Sequence, residues 1–167
     1  MNKNDKRYIK TEKIIIETFI KLKAKAKRVK VTELCEEAMI NKSTFYTHYE
    51  TVQILQEQIQ RKVIEEIFKK CVEQYDIFKE TDKFIYESIK VELKNRELLN
   101  HIFDNGANKL NVTVDVLTSL YGSKCKKEED KMMLAFVFGG VAQIFQQNMS
   151  DKSIHMAINY AKSIVDR

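Results

Sequence analysis

Apolar residues recur at intervals of three and four along most of this 167-residue chain, which is the spacing of α-helices. The clearest example spans five positions, each four residues after the last: Leu55, Ile59, Val63, Ile67 and Cys71. No segment alternates between apolar and polar residues for long enough to predict a strand. The pattern therefore predicts an all-α protein with eight or nine helices.

The same pattern predicts where the helices lie. After a first helix, a short second helix is expected over Val31–Ala38, a third from Lys42, and a long fourth helix ending near Tyr75. Further helices are expected around residues 85–93, 98–103, 112–121, 126–148 and 151–165. Ser150 is expected to cap the last of these, and Asp104-Asn105-Gly106 to end the sixth.

The third helix carries the most informative side chains. Asn41 is predicted to cap it through a hydrogen bond to a backbone N–H. A rotation of about 100° per residue places Phe45 and Tyr49 on one apolar face. The opposite face is rich in hydroxyl groups, with Tyr46 and His48 at its margins. Small donors and acceptors of this kind can approach base edges closely, so the pattern predicts a DNA-recognition helix.

The net charge of the chain is concentrated at its N-terminal end. Residues 1–50 contain 12 Lys and Arg against 7 Asp and Glu, whereas residues 51–167 contain 17 of each. Lysines that solvate a helix surface would explain any single member of this cluster. Together with the third helix, the cluster is better interpreted as a surface that faces phosphates. The candidate DNA-binding residues are Lys30, Thr32, Lys42, Ser43, Thr44, Tyr46, Thr47 and His48.

Residues 29–55, VKVTELCEEAMINKSTFYTHYETVQIL, resemble the helix-turn-helix of the tetracycline-repressor-like (TetR-like) family of bacterial regulators. The matching positions are Ala38, Thr44, Phe45, Tyr46, His48 and Tyr49. The resemblance implies a three-helix helix-turn-helix DNA-binding domain over residues 1–50, whose long first helix matches residues 8–26, and a helical regulatory and dimerisation domain over residues 51–167. It implies a dimeric repressor that binds a pseudo-palindromic site on double-stranded DNA and is released by a small-molecule effector.

Three positions depart from the family pattern. Met39 replaces the usual turn Gly, so the turn is expected to bend without the positive φ that Gly allows. Lys30 stands where a Thr or Ser cap is usual, which leaves Thr32 as a displaced cap or as a hydroxyl facing the first helix. Val52 replaces a Lys that would meet a phosphate.

The last two helices are expected to pair with their copies in a second subunit. The middle of the helix over residues 126–148 is apolar nearly all round, and its small residues allow another helix to approach closely. The expected interface residues are Ala135, Gly139, Gly140, Ala142, Ile154, Ile158 and Ala161. Aromatic and Met side chains between the fourth and eighth helices are either ordinary core or the lining of an effector cavity. The candidates for that lining are Phe84, Phe103, Tyr121, Met133 and Phe136.

Other classes of protein find little support in the sequence. Paired carboxylates in an apolar setting, phosphate-binding Gly-rich loops and metal-ligand spacings are not apparent, so neither an enzyme nor a metal or other cofactor is expected. No apolar segment reaches the ~20 residues of a membrane span, and the charged first ten residues do not suggest a signal peptide, so a cytoplasmic location is expected. Two alternatives stay open: an activator that works with a protein partner, and a helical adaptor that keeps the fold without binding DNA.

Overall fold

The computed structural model of the protein describes residues 5–104, 106–122, 124, 127–146 and 150–165. Within these residues the protein has nine helices and no strand, which confirms the all-α prediction. The helices are α1 (Lys6–Lys23), α2 (Val31–Glu37), α3 (Lys42–His48), α4 (Val52–Gln74), α5 (Thr81–Lys94), α6 (Arg96–Ile102), α7 (Gly106–Gly122), α8 (Glu128–Gln146) and α9 (Asp151–Val165).

The helix ends show where local signals were informative. Asn41 directly precedes α3 as predicted, but its side chain makes no capping hydrogen bond, which corrects the expected role of that side chain. Lys30 directly precedes α2 without a side-chain cap, so Thr32 lies inside the helix and is not a displaced cap. Gly106 was expected to help end α6, but α6 ends at Ile102 and Gly106 is the first residue of α7. The seventh helix therefore begins several residues before its first predicted position. The Ser150 side chain accepts a long hydrogen bond of 3.4 Å from the Ser153 amide at the start of α9.

The chain forms two compact units that are interleaved in sequence. Unit 1 comprises Met1–Gln60 and Asn100–Asp104, and unit 2 comprises Arg61–Leu99 and Asn105–Arg167. Two helices contribute to both units, since α4 changes unit after Gln60 and α6 after Leu99. The boundary after residue 50, between a DNA-binding and a regulatory domain, stays a prediction. The compact units that the packing defines are divided at Gln60 and around residues 100–104.

Unit 1 is built on the apolar faces of its first three helices. α1 packs on α2, and α2 packs on α3. The side chains of Ile15, Phe19, Leu34 and Phe45 are fully buried in this core. Cys35 is also buried in this core, as a free thiol.

Unit 2 is a helical bundle in which α8 packs on α7 and α9, and α5 packs on α9. Its centre is aromatic: the Phe84 and Tyr121 rings meet edge to face at a centroid distance of 5.4 Å, and both contact Phe138. The buried Tyr121 hydroxyl donates a hydrogen bond of 2.7 Å to the Tyr75 carbonyl. A search of the described helices finds none with the length and apolar character needed to cross a membrane.

Met39 corrects one expectation about the turn between α2 and α3. Its φ is 51°, in the left-handed region, so the turn keeps the positive φ without Gly. The side chain of Met39 is 91% exposed and therefore gains almost nothing from packing. The turn is held by backbone hydrogen bonds from the Met39 amide to the Glu36 carbonyl and from the Ile40 amide to the Cys35 carbonyl. These bonds hold a Met in a backbone conformation that L-residues rarely adopt.

Candidate nucleic-acid interface

The outward face of α3 displays polar side chains, and its inward face anchors the helix. Phe45 and Tyr49 are buried, as the helical geometry predicted. The Tyr49 hydroxyl donates a hydrogen bond of 3.2 Å to the Glu12 carboxylate on α1, and burial raises the pKa of this hydroxyl well above its usual value. The anchoring residues fix the rotation of α3 and so decide which residues face outwards: Lys42, Ser43, Tyr46 and Thr47 are exposed and Thr44 is half-buried.

The Thr47 side chain of α3 can offer a ligand a hydrogen-bond acceptor. The Thr47 hydroxyl donates a hydrogen bond of 2.7 Å to the Thr44 carbonyl one turn earlier. Its proton is therefore engaged within the helix, and its oxygen remains able to accept. An exposed acceptor of this kind is complementary to the exocyclic amino groups of cytosine and adenine in the major groove.

His48 is less accessible than its predicted role as a DNA-binding residue would require. Its imidazole ring stacks on the Tyr8 ring of α1 at a centroid distance of 3.9 Å and an interplanar angle of 24°. Both ring nitrogens are buried and have no hydrogen-bond partner among the described residues. Burial lowers the pKa of His48, while the nearby Glu12 carboxylate opposes that shift. In this arrangement His48 is a neutral side chain that joins α3 to α1.

A second polar surface lies in the segment Ala24–Lys30, which we call the basic loop. It joins α1 to α2 and carries four exposed cationic side chains: Lys25, Lys27, Arg28 and Lys30. In the described part of the chain, no carboxylate lies within ion-pair distance of any of the four. Lys21, on α1, differs because it pairs with Glu37 at 2.5 Å. Thr32 is exposed on α2, directly after the loop.

Unit 2 contains a small apolar cavity near the predicted effector site. Its volume is about 30 Å³, enough for about one water molecule. Apolar side chains from α4, α5, α7 and α8 form most of its wall: Phe68, Phe84, Ile85, Leu117, Phe138 and Val141. Glu92 also borders it and pairs with Lys109 at 2.7 Å, with both side chains mostly buried.

Of the five residues predicted to line an effector cavity, only Phe84 lines this one. Tyr121 is buried beside it and contacts the Phe84 and Phe138 rings. Phe103 is buried in unit 1, Met133 is half-buried, and Phe136 is 69% exposed. Helical periodicity could not separate these cases, because α8 is apolar on several sides and only its neighbours decide which side is covered.

The predicted interface residues of α8 and α9 also fall into different environments. Ile158 and Ala161 are buried within the chain, whereas Gly140 is exposed. Ala135, Gly139 and Ile154 are half-buried, and the side chain of Ala142 lies outside the described residues. The sequence reasoning missed large apolar side chains that are exposed on these two helices, at a spacing of four residues on each. They are Met132 and Phe136 on α8 and Met156 and Tyr160 on α9, and we call them the apolar face.

Sequence comparisons and a search for metal ligands add no further assignment. Among the described residues, no group of three or more His, Cys, Asp or Glu side chains is placed to hold a metal ion. A scan against protein-family models finds no match to this chain, and a search of curated proteins finds none either.

Proposed function

We propose that the protein is a sequence-specific DNA-binding transcriptional regulator whose α2 and α3 form a helix-turn-helix of the TetR-like kind. The observation that carries this proposal is the arrangement of α3, in which Phe45 and Tyr49 are buried while Lys42, Ser43, Tyr46 and Thr47 face solvent. A short helix with an anchored apolar face and small polar groups on the other side suits the major groove.

The basic loop supports the same proposal through a different property. Its four exposed cations lack carboxylate partners among the described residues, so binding them to phosphates breaks no ion pair. Phosphate contacts position a protein on the duplex, and base contacts select the sequence. We assign the first role to the basic loop and the second to Ser43, Thr44 and Thr47, with Tyr46 and Lys42 at the groove margin.

The proposed regulator acts as a homodimer in which a second copy covers the apolar face. Met132 and Phe136 lie one turn apart on α8, and Met156 and Tyr160 lie one turn apart on α9. Phe136 and Tyr160 are 69% and 67% exposed, and neighbouring large apolar side chains left in water are typical of a surface that a partner covers. A two-fold axis would also present two α3 helices to one duplex and lead to a pseudo-palindromic site. We therefore assign the proposed subunit contact to Met132, Phe136, Gly140, Met156 and Tyr160, since Ile158 and Ala161 already pack inside the chain.

Release by a small-molecule effector receives less support from the geometry than DNA binding does. Ligand cavities typically measure about 300–1,000 Å³. The cavity of about 30 Å³ in unit 2 would have to grow by roughly tenfold to hold an effector.

The test measures binding of the purified protein to the DNA upstream of its own gene and to a scrambled duplex, across a salt series. We expect a preference for the upstream DNA and an affinity that falls steeply as salt rises. Lys42→Ala should weaken binding, whereas Lys70→Ala, which removes an exposed lysine of unit 2, should leave it unchanged. Weak and equal binding to both duplexes, insensitive to salt, would reject the proposal in favour of a helical adaptor that binds protein.

A further inference from the structure

Lys23, at the end of α1, is an unusual lysine because only 3% of its side-chain surface is exposed. Its ammonium group donates a hydrogen bond of 2.6 Å to the Asp104 carboxylate and another of 2.5 Å to the carbonyl oxygen of Lys27. A buried ammonium group needs such partners, because removing its charge from water is costly. Lys23 therefore connects Asp104 to the backbone of the basic loop.

Asp104 is itself held firmly in unit 1. Its second carboxylate oxygen accepts a hydrogen bond of 2.8 Å from the Gln56 amide on α4. One turn further along α4, the Gln60 amide donates a hydrogen bond of 2.8 Å to the Ile102 carbonyl. The hydrogen bond from Lys23 lowers the pKa of Asp104, so the carboxylate is ionised at neutral pH. The segment Asn100–Asp104 thus presents a fixed negative charge to Lys23.

The bond from Lys23 reaches the basic loop at its middle. Before that point the loop follows the end of α1, with the Lys25 and Ala26 amides both donating to the Leu22 carbonyl. The bond to the Lys27 carbonyl then fixes the backbone between the cations at positions 25 and 28. Cations on a fixed backbone bind phosphates with a smaller loss of conformational entropy than cations on a mobile loop.

The pair of charges is poorly explained as a source of stability alone. The Asp104 side chain keeps 39% of its surface exposed, and ion pairs with a solvent-exposed partner contribute little to stability. An apolar pair at positions 23 and 104 could fill the same space, but it could not donate to the Lys27 carbonyl. Filling the space at these two positions and holding the basic loop are therefore different roles. Only the second role requires the ammonium group of Lys23.

We propose that Lys23 and Asp104 are positioning residues, which hold the basic loop in the shape in which its cations meet DNA phosphates. This inference rests on the proposed DNA-binding function and deepens it, because it adds a residue distant in sequence to the DNA-binding machinery. Neither side chain touches DNA in this arrangement: both act through the backbone of Lys27.

The experiment compares the unsubstituted protein with the double variant Lys23→Met/Asp104→Asn, which keeps the side-chain volumes nearly constant and removes both charges. The matched control is Arg61→Gln/Asp115→Gln, since Arg61 and Asp115 form an exposed ion pair within unit 2. For each protein we would measure thermal unfolding, amide hydrogen exchange of residues 24–30, and binding to upstream and scrambled DNA across a salt series.

The double variant should unfold at nearly the same temperature, while amides of the basic loop exchange faster. If two phosphate contacts are lost, the slope of log affinity against log salt should become shallower by about 1.8. The ratio of affinities for upstream and scrambled DNA should stay the same, because the contacts of α3 with bases are retained. The control should match the unsubstituted protein in every measurement.

An unchanged salt slope with unchanged exchange of the loop would overturn the inference and leave the proposed function intact. If the double variant does not fold, Lys23→Met replaces it because it removes the donor to the Lys27 carbonyl, and a folded Lys23→Met protein with the original slope and the original loop exchange would overturn the inference equally. A different result identifies failure of the proposed function: the unsubstituted protein would then show no salt-dependent binding to either duplex. In that case the positioning role is also rejected, whatever the rate of amide hydrogen exchange in the basic loop.

Discussion

The strained turn at Met39 allows a substitution that should stabilise the protein. A left-handed conformation costs an L-residue about 1–2 kcal/mol, and Gly adopts it without that penalty. Gly also loses more entropy on folding, by about 0.5–1 kcal/mol. Because Met39 is 91% exposed, its removal forfeits almost no burial. Met39 has a φ of 51°, so it carries the left-handed penalty. Subtracting the entropy cost of Gly from this penalty predicts that Met39→Gly is more stable by about 0.5–1 kcal/mol.

The measurement is urea unfolding followed by circular dichroism, with Met39→Ala as the matched control. Alanine removes the exposed thioether but keeps the Cβ that causes the strain, so its stability should stay within about 0.5 kcal/mol of the original. The midpoint for Met39→Gly should rise while the slope of the transition stays constant. If Gly and Ala shifted the midpoint equally, or if Gly lowered it, the strain at this turn would be refuted as a source of instability.

Three further predictions concern buried and exposed positions. Phe45→Ala should lower the unfolding free energy by about 3–5 kcal/mol, and Tyr46→Ala, at a position 55% exposed, by less than about 0.5 kcal/mol in the same urea titration. Equal losses would contradict the assignment of the two faces of α3. Burial lowers the pKa of His48, so the unfolded chain binds the extra proton and stability should fall as pH drops below about 6.5. His48→Phe should remove part of that dependence in melts between pH 5 and 8, and an identical pH profile would count against it. Phe136→Glu should convert the proposed dimer to monomers in sedimentation experiments, whereas Leu93→Glu, at an exposed position of α5, should not. A Phe136→Glu protein that sediments as a dimer would exclude the apolar face as the interface.

The helices themselves were predictable because each one is encoded by its own residues. The four-residue spacing from Leu55 to Cys71 identified α4, and Asn41, taken as a cap, located the start of α3 at Lys42. The 3.6-residue period also predicted that Phe45 and Tyr49 share a buried face. Such patterns need no knowledge of other parts of the chain.

The candidate site was less predictable because its details depend on residues distant in sequence. His48 was expected at the surface, but Tyr8 of α1 stacks on its ring. Lys23 was one lysine among many in a basic segment, and nothing near it in sequence indicated that Asp104, 81 positions later, would pair with it. Likewise, the apolar sides of α9 could not be divided in advance into those that the chain covers, such as Ile158, and those left exposed, such as Tyr160.

The position of Asp104 has a consequence for the order in which the protein can fold during synthesis. Residues up to Gln60 leave the ribosome well before Asn100–Asp104, although both belong to unit 1. At a synthesis rate of about 5–20 residues per second, several seconds separate the synthesis of Lys23 from that of Asp104, its carboxylate partner. Until then unit 1 must either keep Lys23 in water or bury a charge that lacks its partner. The chain therefore completes its N-terminal unit only after α5 and α6 have been made, and a fragment that ends at Gln60 would lack part of that unit.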